Sequence, residues 1–187
     1  MNIIFDFDGV ILNSNHIKTQ GFSIISKRFG EEASKCLINY HIKNGGISRF
    51  KKIKWFVNEK LGIKDEKLIE NLIQEYGEAV NKKLLECEIR TDLFNLKKIL
   101  SPCKWYIASG GFESEIVDYM NFKKLSILFE GGIHGSPMTK DKIIKNLKNN
   151  FDPQNKEKWY LIGDSKYDYE CSINNNIKFI FATDWTE

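Results

Sequence analysis

Residues 1–10 read MNIIFDFDGV, and this stretch guides how the rest of the chain is interpreted. A short apolar run ends there at two acidic residues, Asp6 and Asp8, and Gly9 follows them. An apolar run of β-branched and aromatic residues that stops at a small or acidic residue is typical of a buried strand in a parallel sheet. We therefore predict a first strand over residues 2–6 whose carboxyl end presents Asp6 and Asp8.

Similar apolar runs recur later in the chain. They lie at 104–109, 159–163 and 178–182, and a weaker fifth strand is predicted near 126–133. Between the later runs, apolar residues recur at helical spacing. Strands that alternate with helices predict an α/β fold, a doubly wound parallel sheet with helices on both faces.

The segment 15–86 has a different pattern, with no convincing strand. Its apolar residues form two helical stripes, Phe50, Ile53, Val57 and Leu61, then Leu68, Ile69, Leu72, Ile73, Tyr76 and Val80. Gly62 is placed to end the first helix and Asp65 to cap the second. We predict a small all-helical cap domain over 15–86, inserted into an α/β core domain of 1–14 and 87–187.

Composition excludes several functional classes. The 187 residues are 42% hydrophobic and 28% charged, with a formal charge of +3 from 28 basic and 25 acidic side chains. This balance does not favour binding to a nucleic-acid polymer. The opening residues resemble neither a signal peptide nor a membrane span. The four cysteines are far apart, as in reduced cytosolic proteins, so we expect a cytoplasmic monomer or weak homodimer that does not bind membranes.

Polar residues cluster at the predicted strand ends and at the start of one helix. They are Asp6, Asp8, Ser109, Gly110, Lys140, Asp164 and Asp168. In an open parallel sheet, ligands bind outside the carboxyl ends of the strands. We therefore expect these residues to converge on one site.

The predicted cluster suits phosphoryl transfer. Neighbouring carboxylates repel each other, so a divalent cation is expected among them, and Mg²⁺ prefers oxygen ligands. The cation, a lysine and backbone N–H groups near Gly110 can neutralise a phosphoryl group. One carboxylate can attack phosphorus, and a second, two residues on, can transfer protons to and from the reacting oxygens.

This ordered set resembles the four motifs of the haloacid dehalogenase superfamily. The motifs are Asp-x-Asp-Gly-Val from Asp6, a strand-end Ser109, Lys140, and Gly-Asp-x-x-x-Asp, which holds Asp164 and Asp168. The resemblance covers the whole chain, and the helical insert resembles the type-one cap.

The resemblance implies specific roles. Asp6 would be the nucleophile and Asp8 the general acid/base, while Ser109, Gly110 and Lys140 would bind the phosphoryl group. The implied Mg²⁺ ligands are Asp6, the backbone carbonyl of Asp8, and Asp164, with Asp168 acting directly or through water.

The same resemblance indicates a reaction class. Members that cleave carbon–halogen bonds lack the second aspartate, so Asp8 favours phosphoryl transfer. We expect a phosphatase of the phosphoglycolate phosphatase or β-phosphoglucomutase type, acting on phosphoglycolate, a sugar phosphate or another small phosphorylated metabolite. A sugar phosphomutase and a catalytically silent binding protein on this fold are the alternatives. A nucleotide would present the same phosphate.

The sequence leaves alternatives for two basic residues, the lysine that binds the phosphate and the arginine of the cap. Lys142 lies two residues after Lys140 and could be the lysine that reaches the phosphate, although the motif favours Lys140. In the predicted cap, the Gly-Ile-Ser-Arg run ends at Arg49 and resembles the substrate loop of β-phosphoglucomutase-like members. Arg49 is therefore expected to bind an anionic group of the substrate, the alternative being charge compensation by Glu31, Glu32 or another acid nearby.

Overall fold

The structure is a computed structural model and describes residues 1–186. Its centre is a five-stranded, fully parallel sheet with strand order β3-β2-β1-β4-β5. The strands are β1 Asn2–Phe5, β2 Lys104–Phe112, β3 Ile133–Ser136, β4 Trp159–Gly163 and β5 Lys178–Phe181. The order places β1 in the middle, so the two aspartates that follow it lie at the centre of one sheet edge.

Helices cover the sheet and fill the insert. Those of the insert are α1 Asn15–Ser26, α2 Glu31–Lys43, α3 Arg49–Trp55 and α4 Glu66–Leu84, and those that accompany the sheet are α5 Leu93–Ile99, α6 Glu113–Phe122, α7 Lys140–Phe151 and α8 Lys166–Asn174. A π-helical segment, Phe56–Lys60, extends α3, and short 3₁₀ turns follow α1 and α6.

Alternate strand residues pack into two different cores. In β1, Ile3 and Phe5 join a cluster that includes residues of α6, whereas Ile4 joins a second cluster that includes residues of α7. Successive side chains of a strand point to opposite faces, so both faces of this sheet are covered. The prediction of a doubly wound α/β sheet is confirmed.

Two strand predictions need correction. The fifth strand does not lie at 126–133, because Ser126–Leu128 forms a 3₁₀ turn and the strand starts only at Ile133. The apolar residues of the turn, such as Leu128, are buried by packing and not by sheet formation. In addition, β2 continues beyond 109 to Phe112, with an irregular register after Ala108.

The insert is helical, as predicted. The side chain of Asp65 caps α4 by accepting from the backbone N–H of Leu68 at 3.0 Å. Ser48 precedes α3 but forms no capping hydrogen bond through its side chain. We call residues 15–86 the cap and the rest of the chain the core, although the division into two domains at these bounds stays a prediction.

The last residue of the predicted core, Glu187, lies outside the described residues. Within 1–186, no helix is both long enough and apolar enough to cross a membrane.

Candidate active site

The carboxyl ends of the central strands open into a cavity of about 260 Å³ between the core and the cap. Asp6, Asp8, Ser109, Gly110 and Asp164 all line it. Parallel strands end at one edge of the sheet, which is why residues distant in sequence meet here.

Lys140 lies directly behind the cavity. It is the first residue of α7 and only 1% exposed. Its Nζ lies 2.8 Å from Oδ2 of Asp6, and it also pairs with Oδ1 of Asp168. Lys142 is exposed, so Lys140 is the lysine that reaches the cluster of acids.

Electrostatics keep Lys140 positively charged. Burial alone would lower the pKa of its ammonium, but the carboxylates of Asp168 and Asp6 outweigh burial and raise that pKa well above the usual value. A fully buried cation is stable only when it is paired in this way.

Asp168 is fixed by the start of α8. Ser165 and Asp168 form a reciprocal capping box, in which Asp168 Oδ2 accepts from the backbone N–H of Ser165 at 3.1 Å and from its hydroxyl at 2.6 Å. Because Lys140 occupies the other oxygen, protein donors bind both oxygens of this carboxylate.

Three carboxylates form a compact acidic cluster. Oxygen atoms of Asp6, Asp164 and Asp168 lie within 4.8 Å of one another. Burial raises the pKa of Asp6 well above its usual value, and the neighbouring Asp168 adds to this effect despite Lys140. Burial likewise raises the pKa of Asp164 to about 6, against the hydrogen bond from Asn15. Crowded carboxylates with raised pKa values fit a divalent cation, because such an ion would relieve their repulsion.

Asp8 also lines the cavity and, unlike Asp6, is only half-buried. Its Oδ1 accepts from the hydroxyl of Ser14 at 2.6 Å and lies 3.3 Å from Nζ of Lys18. These contacts fix the carboxylate beside the position that a substrate would occupy.

Gly9 is required by the close packing of this loop. Its φ of +76° is a conformation that favours glycine, and an added Cβ would lie 2.0 Å from Oδ2 of Asp164. The glycine of the first motif therefore lets the loop after β1 approach the loop after β4.

Ser109 and Gly110 lie on the next strand. The Ser109 hydroxyl accepts from the backbone N–H of Gly111 at 3.0 Å. A Cβ on Gly110 would lie 2.2 Å from the carbonyl oxygen of Gly46 in the cap. The cap loop thus packs directly on the core loop and closes this side of the cavity.

Arg49 is paired with a residue of the core. It is 7% exposed, forms an ion pair with Glu115 of α6, and lies over the ring of Phe112 at 4.4 Å. Asn81 of the cap also donates to Glu115, at 3.2 Å. The acid that compensates Arg49 is therefore Glu115, not Glu31 or Glu32.

Arg49 nevertheless lines the cavity, and its Nη1 is buried without a hydrogen-bond partner among the described residues. Contact between Arg49 and a substrate stays a prediction.

The cap contributes other cavity residues that sequence reasoning did not assign to the site. They are Asn15, Lys18, His41 and Lys52. Asn15 donates to Asp164 Oδ2 at 2.7 Å and to the carbonyl of Trp185 at 2.9 Å. Asn15 and Lys18 lie three residues apart on α1 and therefore on one face of that helix. Because α1 begins shortly after the first motif, this spacing could have identified them. His41 and Lys52 lie on different helices, and no sequence spacing connects them.

Lys52, which is buried, forms a hydrogen-bonded pair with His41, which is half-buried. Nζ of Lys52 donates to Nδ1 of His41 at 2.8 Å. Burial, then the neighbouring Lys52 and Lys18, lower the pKa of His41 to about 2, so this imidazole is neutral. Burial lowers the pKa of Lys52 to about 7, with Asp8 opposing this shift and Lys18 adding to it.

Comparisons with known proteins agree with this arrangement. A model of the family described as haloacid dehalogenase-like hydrolase matches residues 3–182. None of the curated proteins matches the chain.

Several solved structures share the fold. A predicted phosphatase from Clostridium acetobutylicum is 19% identical, with a TM-score of 0.71 over 96% of this chain and 83% of that one. A predicted phosphoglycolate phosphatase from Haemophilus somnus is 14% identical, with a TM-score of 0.70 over 96% and 84%. A β-phosphoglucomutase from Clostridium difficile is 19% identical, with a TM-score of 0.70 over 96% and 83%. At these identities the likeness shows the fold alone.

Proposed function

This chain belongs to the haloacid dehalogenase-like hydrolase family, and from that premise we propose that it is a magnesium-dependent phosphatase of a small phosphorylated metabolite. The observation that carries the proposal is the placement of two carboxylates on one loop in different surroundings. Both line the cavity, but Asp6 is buried against Lys140, whereas Asp8 is half-buried beside Ser14 and Lys18. One is placed to attack phosphorus and the other to exchange protons.

In the first step, a carboxylate oxygen of Asp6 forms a bond to phosphorus as the bond to the leaving oxygen breaks. Protonated Asp8 gives its proton to that oxygen, so the leaving group departs as a neutral alcohol. Ser109, Lys140 and the backbone near Gly110 bind the oxygens of the phosphoryl group.

In the second step, Asp8 takes a proton from water, and the water oxygen attacks phosphorus. The bond between Asp6 and phosphorus breaks, inorganic phosphate forms, and both aspartates return to their starting states. Closure of the cap loop on Gly110 keeps other water from this intermediate.

The acidic cluster fits Mg²⁺, which prefers carboxylate and carbonyl oxygens. We propose Asp6, Asp164 and the backbone carbonyl of Asp8 as its ligands. Asp168 would act through water, because Lys140 and Ser165 already bind its two oxygens. When bound, the ion supplies positive charge to the phosphoryl oxygens.

The substrate classes that we propose are phosphoglycolate and sugar phosphates, in agreement with the sequence resemblance and a small cavity. The cysteine pattern supports a cytoplasmic location, which stays a prediction.

The proposal is tested by measuring phosphate release from a panel of phosphorylated metabolites, with Mg²⁺ and with a chelator. We expect Mg²⁺-dependent release from the wild type and none from Asp6→Asn. The matched control is Asp118→Asn, at an exposed position outside the cavity, and it should behave like the wild type.

Retained activity in Asp6→Asn would exclude Asp6 as the nucleophile. Absence of release from folded wild-type protein would contradict the phosphatase proposal. Isomerised sugar phosphate in the same samples would then indicate a phosphomutase, and binding without any product would indicate the silent binding protein.

A further inference from the structure

Lys52 is a buried cation that lines the cavity from the cap. Lys52 is only 2% exposed. Its ammonium donates to Nδ1 of His41 at 2.8 Å and to the carbonyl oxygen of His41 at 3.4 Å. Within residues 1–186, no carboxylate lies within ion-pair distance of it.

Of the other three Lys and Arg residues of the cap that line the cavity, Lys43 is exposed, and Lys18 and Arg49 have acidic partners. Lys18 lies 3.3 Å from Asp8, and Arg49 is paired with Glu115. Lys52 is therefore the buried cation of the cap wall that has no carboxylate within ion-pair distance among residues 1–186, and the more distant Asp8 only partly offsets its burial.

Burial of an ammonium group without a counter-ion is unfavourable. The pKa of Lys52 reflects this cost, because burial lowers it to about 7. Neutral His41 orients the ammonium by accepting from it but supplies no negative charge. An anion that enters the cavity would supply the missing charge and strengthen the hydrogen bond.

We propose that Lys52, oriented by His41, binds a second anionic group of the substrate, a carboxylate or phosphate on the portion that leaves. The inference rests on the proposed function of the site and narrows its substrate class. The phosphoryl group is bound by the core, so the anion that Lys52 binds is the distal one. Arg49, whose buried Nη1 has no hydrogen-bond partner among residues 1–186, provides a second donor in the same cavity.

The inference favours phosphocarboxylates and bisphosphates over monophosphates with an uncharged leaving group. A cavity of about 260 Å³ is small, so the two anionic groups of the substrate lie close together.

Matched pairs of compounds test this preference. Each pair differs in the distal group: phosphoglycolate and 2-hydroxyethyl phosphate, 3-phosphoglycerate and glycerol 3-phosphate, fructose 1,6-bisphosphate and fructose 6-phosphate. We expect the anionic member of at least one pair to have a kcat/KM higher by roughly tenfold or more. The first two pairs report a carboxylate, and the third reports a phosphate.

Lys52→Met keeps the length of the side chain and removes the charge. It should abolish the preference by lowering kcat/KM roughly ten- to hundredfold for the compound with the anionic distal group. For the compound with the uncharged distal group, kcat/KM should change by less than about threefold. Lys54→Met is the matched control on the same helix, since Lys54 is exposed and paired with Glu66. It should leave the preference unchanged.

Binding to the Asp6→Asn variant, measured by calorimetry with the same pairs, gives a readout that does not need turnover. Tighter binding of an anionic member that Lys52→Met abolishes supports the inference even if no phosphate is released. Equal or weaker binding of the anionic member in every pair overturns it, while phosphate release from the uncharged members would leave the phosphatase proposal intact. A preference that survives Lys52→Met also overturns the assignment to Lys52.

Discussion

The two walls of the cavity differ in how their charges are balanced. In the core wall, Asp6 and Asp164 line the cavity, and behind them the buried Lys140 lies between the carboxylates of Asp6 and Asp168. The cap wall includes Lys18, His41, Arg49 and Lys52. Lys18 and Arg49 are paired with acids of the core, whereas no carboxylate of residues 1–186 lies within ion-pair distance of Lys52.

This difference indicates that the core wall serves catalysis and the cap wall serves substrate selection. The core wall is organised before any substrate binds, which is what stabilisation of a transition state requires. The cap wall contains a positive charge, that of Lys52, with which an anionic group of the ligand can pair. A binding site discriminates among substrates through such a contact. Substitutions in the core wall should therefore affect kcat, and those in the cap wall should change which substrate is preferred.

The largest effect is expected for Lys140→Met. Removing this ammonium leaves Asp6 and Asp168 without their buried partner and removes a phosphoryl-binding group, so kcat should fall by about a thousandfold. Loss of one partner of a buried ion pair should also destabilise the protein by about 3–5 kcal/mol. Steady-state kinetics and thermal unfolding measure the two effects.

Lys142→Met is the control for that substitution, because Lys142 is exposed on the same helix. It should retain wild-type activity and stability. A loss of activity in Lys142→Met with activity retained in Lys140→Met would reverse the assignment of the lysine.

Asp8→Asn should have the next largest effect. An amide cannot protonate the leaving oxygen, so kcat should fall by roughly a hundred- to a thousandfold. The hydroxyl of Ser14 can still donate to the amide oxygen, and the loop should remain folded. Circular dichroism checks the fold. An unchanged kcat would exclude Asp8 as the general acid.

Mg²⁺ affinity should depend on pH. In the absence of a metal, the raised pKa of Asp6 and the pKa of about 6 for Asp164 mean that protons occupy these ligands in mildly acidic solution. The affinity should therefore rise with pH, by roughly tenfold between about pH 5 and about pH 7.5. Calorimetric titration measures this change, and an affinity independent of pH would contradict the proposed ligands.

The smallest effect is expected where the two walls meet, at the ion pair between Arg49 and Glu115. In a double-mutant cycle, Arg49→Ala and Glu115→Ala should show a coupling of about 1–3 kcal/mol in the free energy of unfolding. If Arg49 also contacts the substrate, Arg49→Ala should raise KM for an anionic substrate about threefold or more beyond the effect of Glu115→Ala. Equal KM values in the two variants would remove Arg49 from substrate binding.

The contrast between the walls also explains what sequence reasoning could recover. Asp6, Ser109 and Asp164 follow or end apolar strands, and parallel strands end at one edge, so their meeting follows from the sheet alone. The pairing of Lys52 with His41 could not be predicted, because no sequence spacing connects them and only the packing of α2 against α3 places them together. The prediction of a strand near 126–133, which corresponds to β3, is wrong for a related reason. The apolar side chains near Leu128 resemble a strand in the sequence but are buried in a 3₁₀ turn.

The most direct test of the account is whether Asp6 carries the phosphoryl group. Beryllium trifluoride mimics a phosphoryl group on a carboxylate and needs no turnover to bind, so bound fluoride can be followed by ¹⁹F NMR. We predict bound signals in the wild type that need Mg²⁺ and disappear in Asp6→Asn. Bound signals that persist in Asp6→Asn would contradict the phosphoaspartate mechanism. The same conclusion would follow if wild-type enzyme that releases phosphate in the presence of Mg²⁺ gave no bound signals.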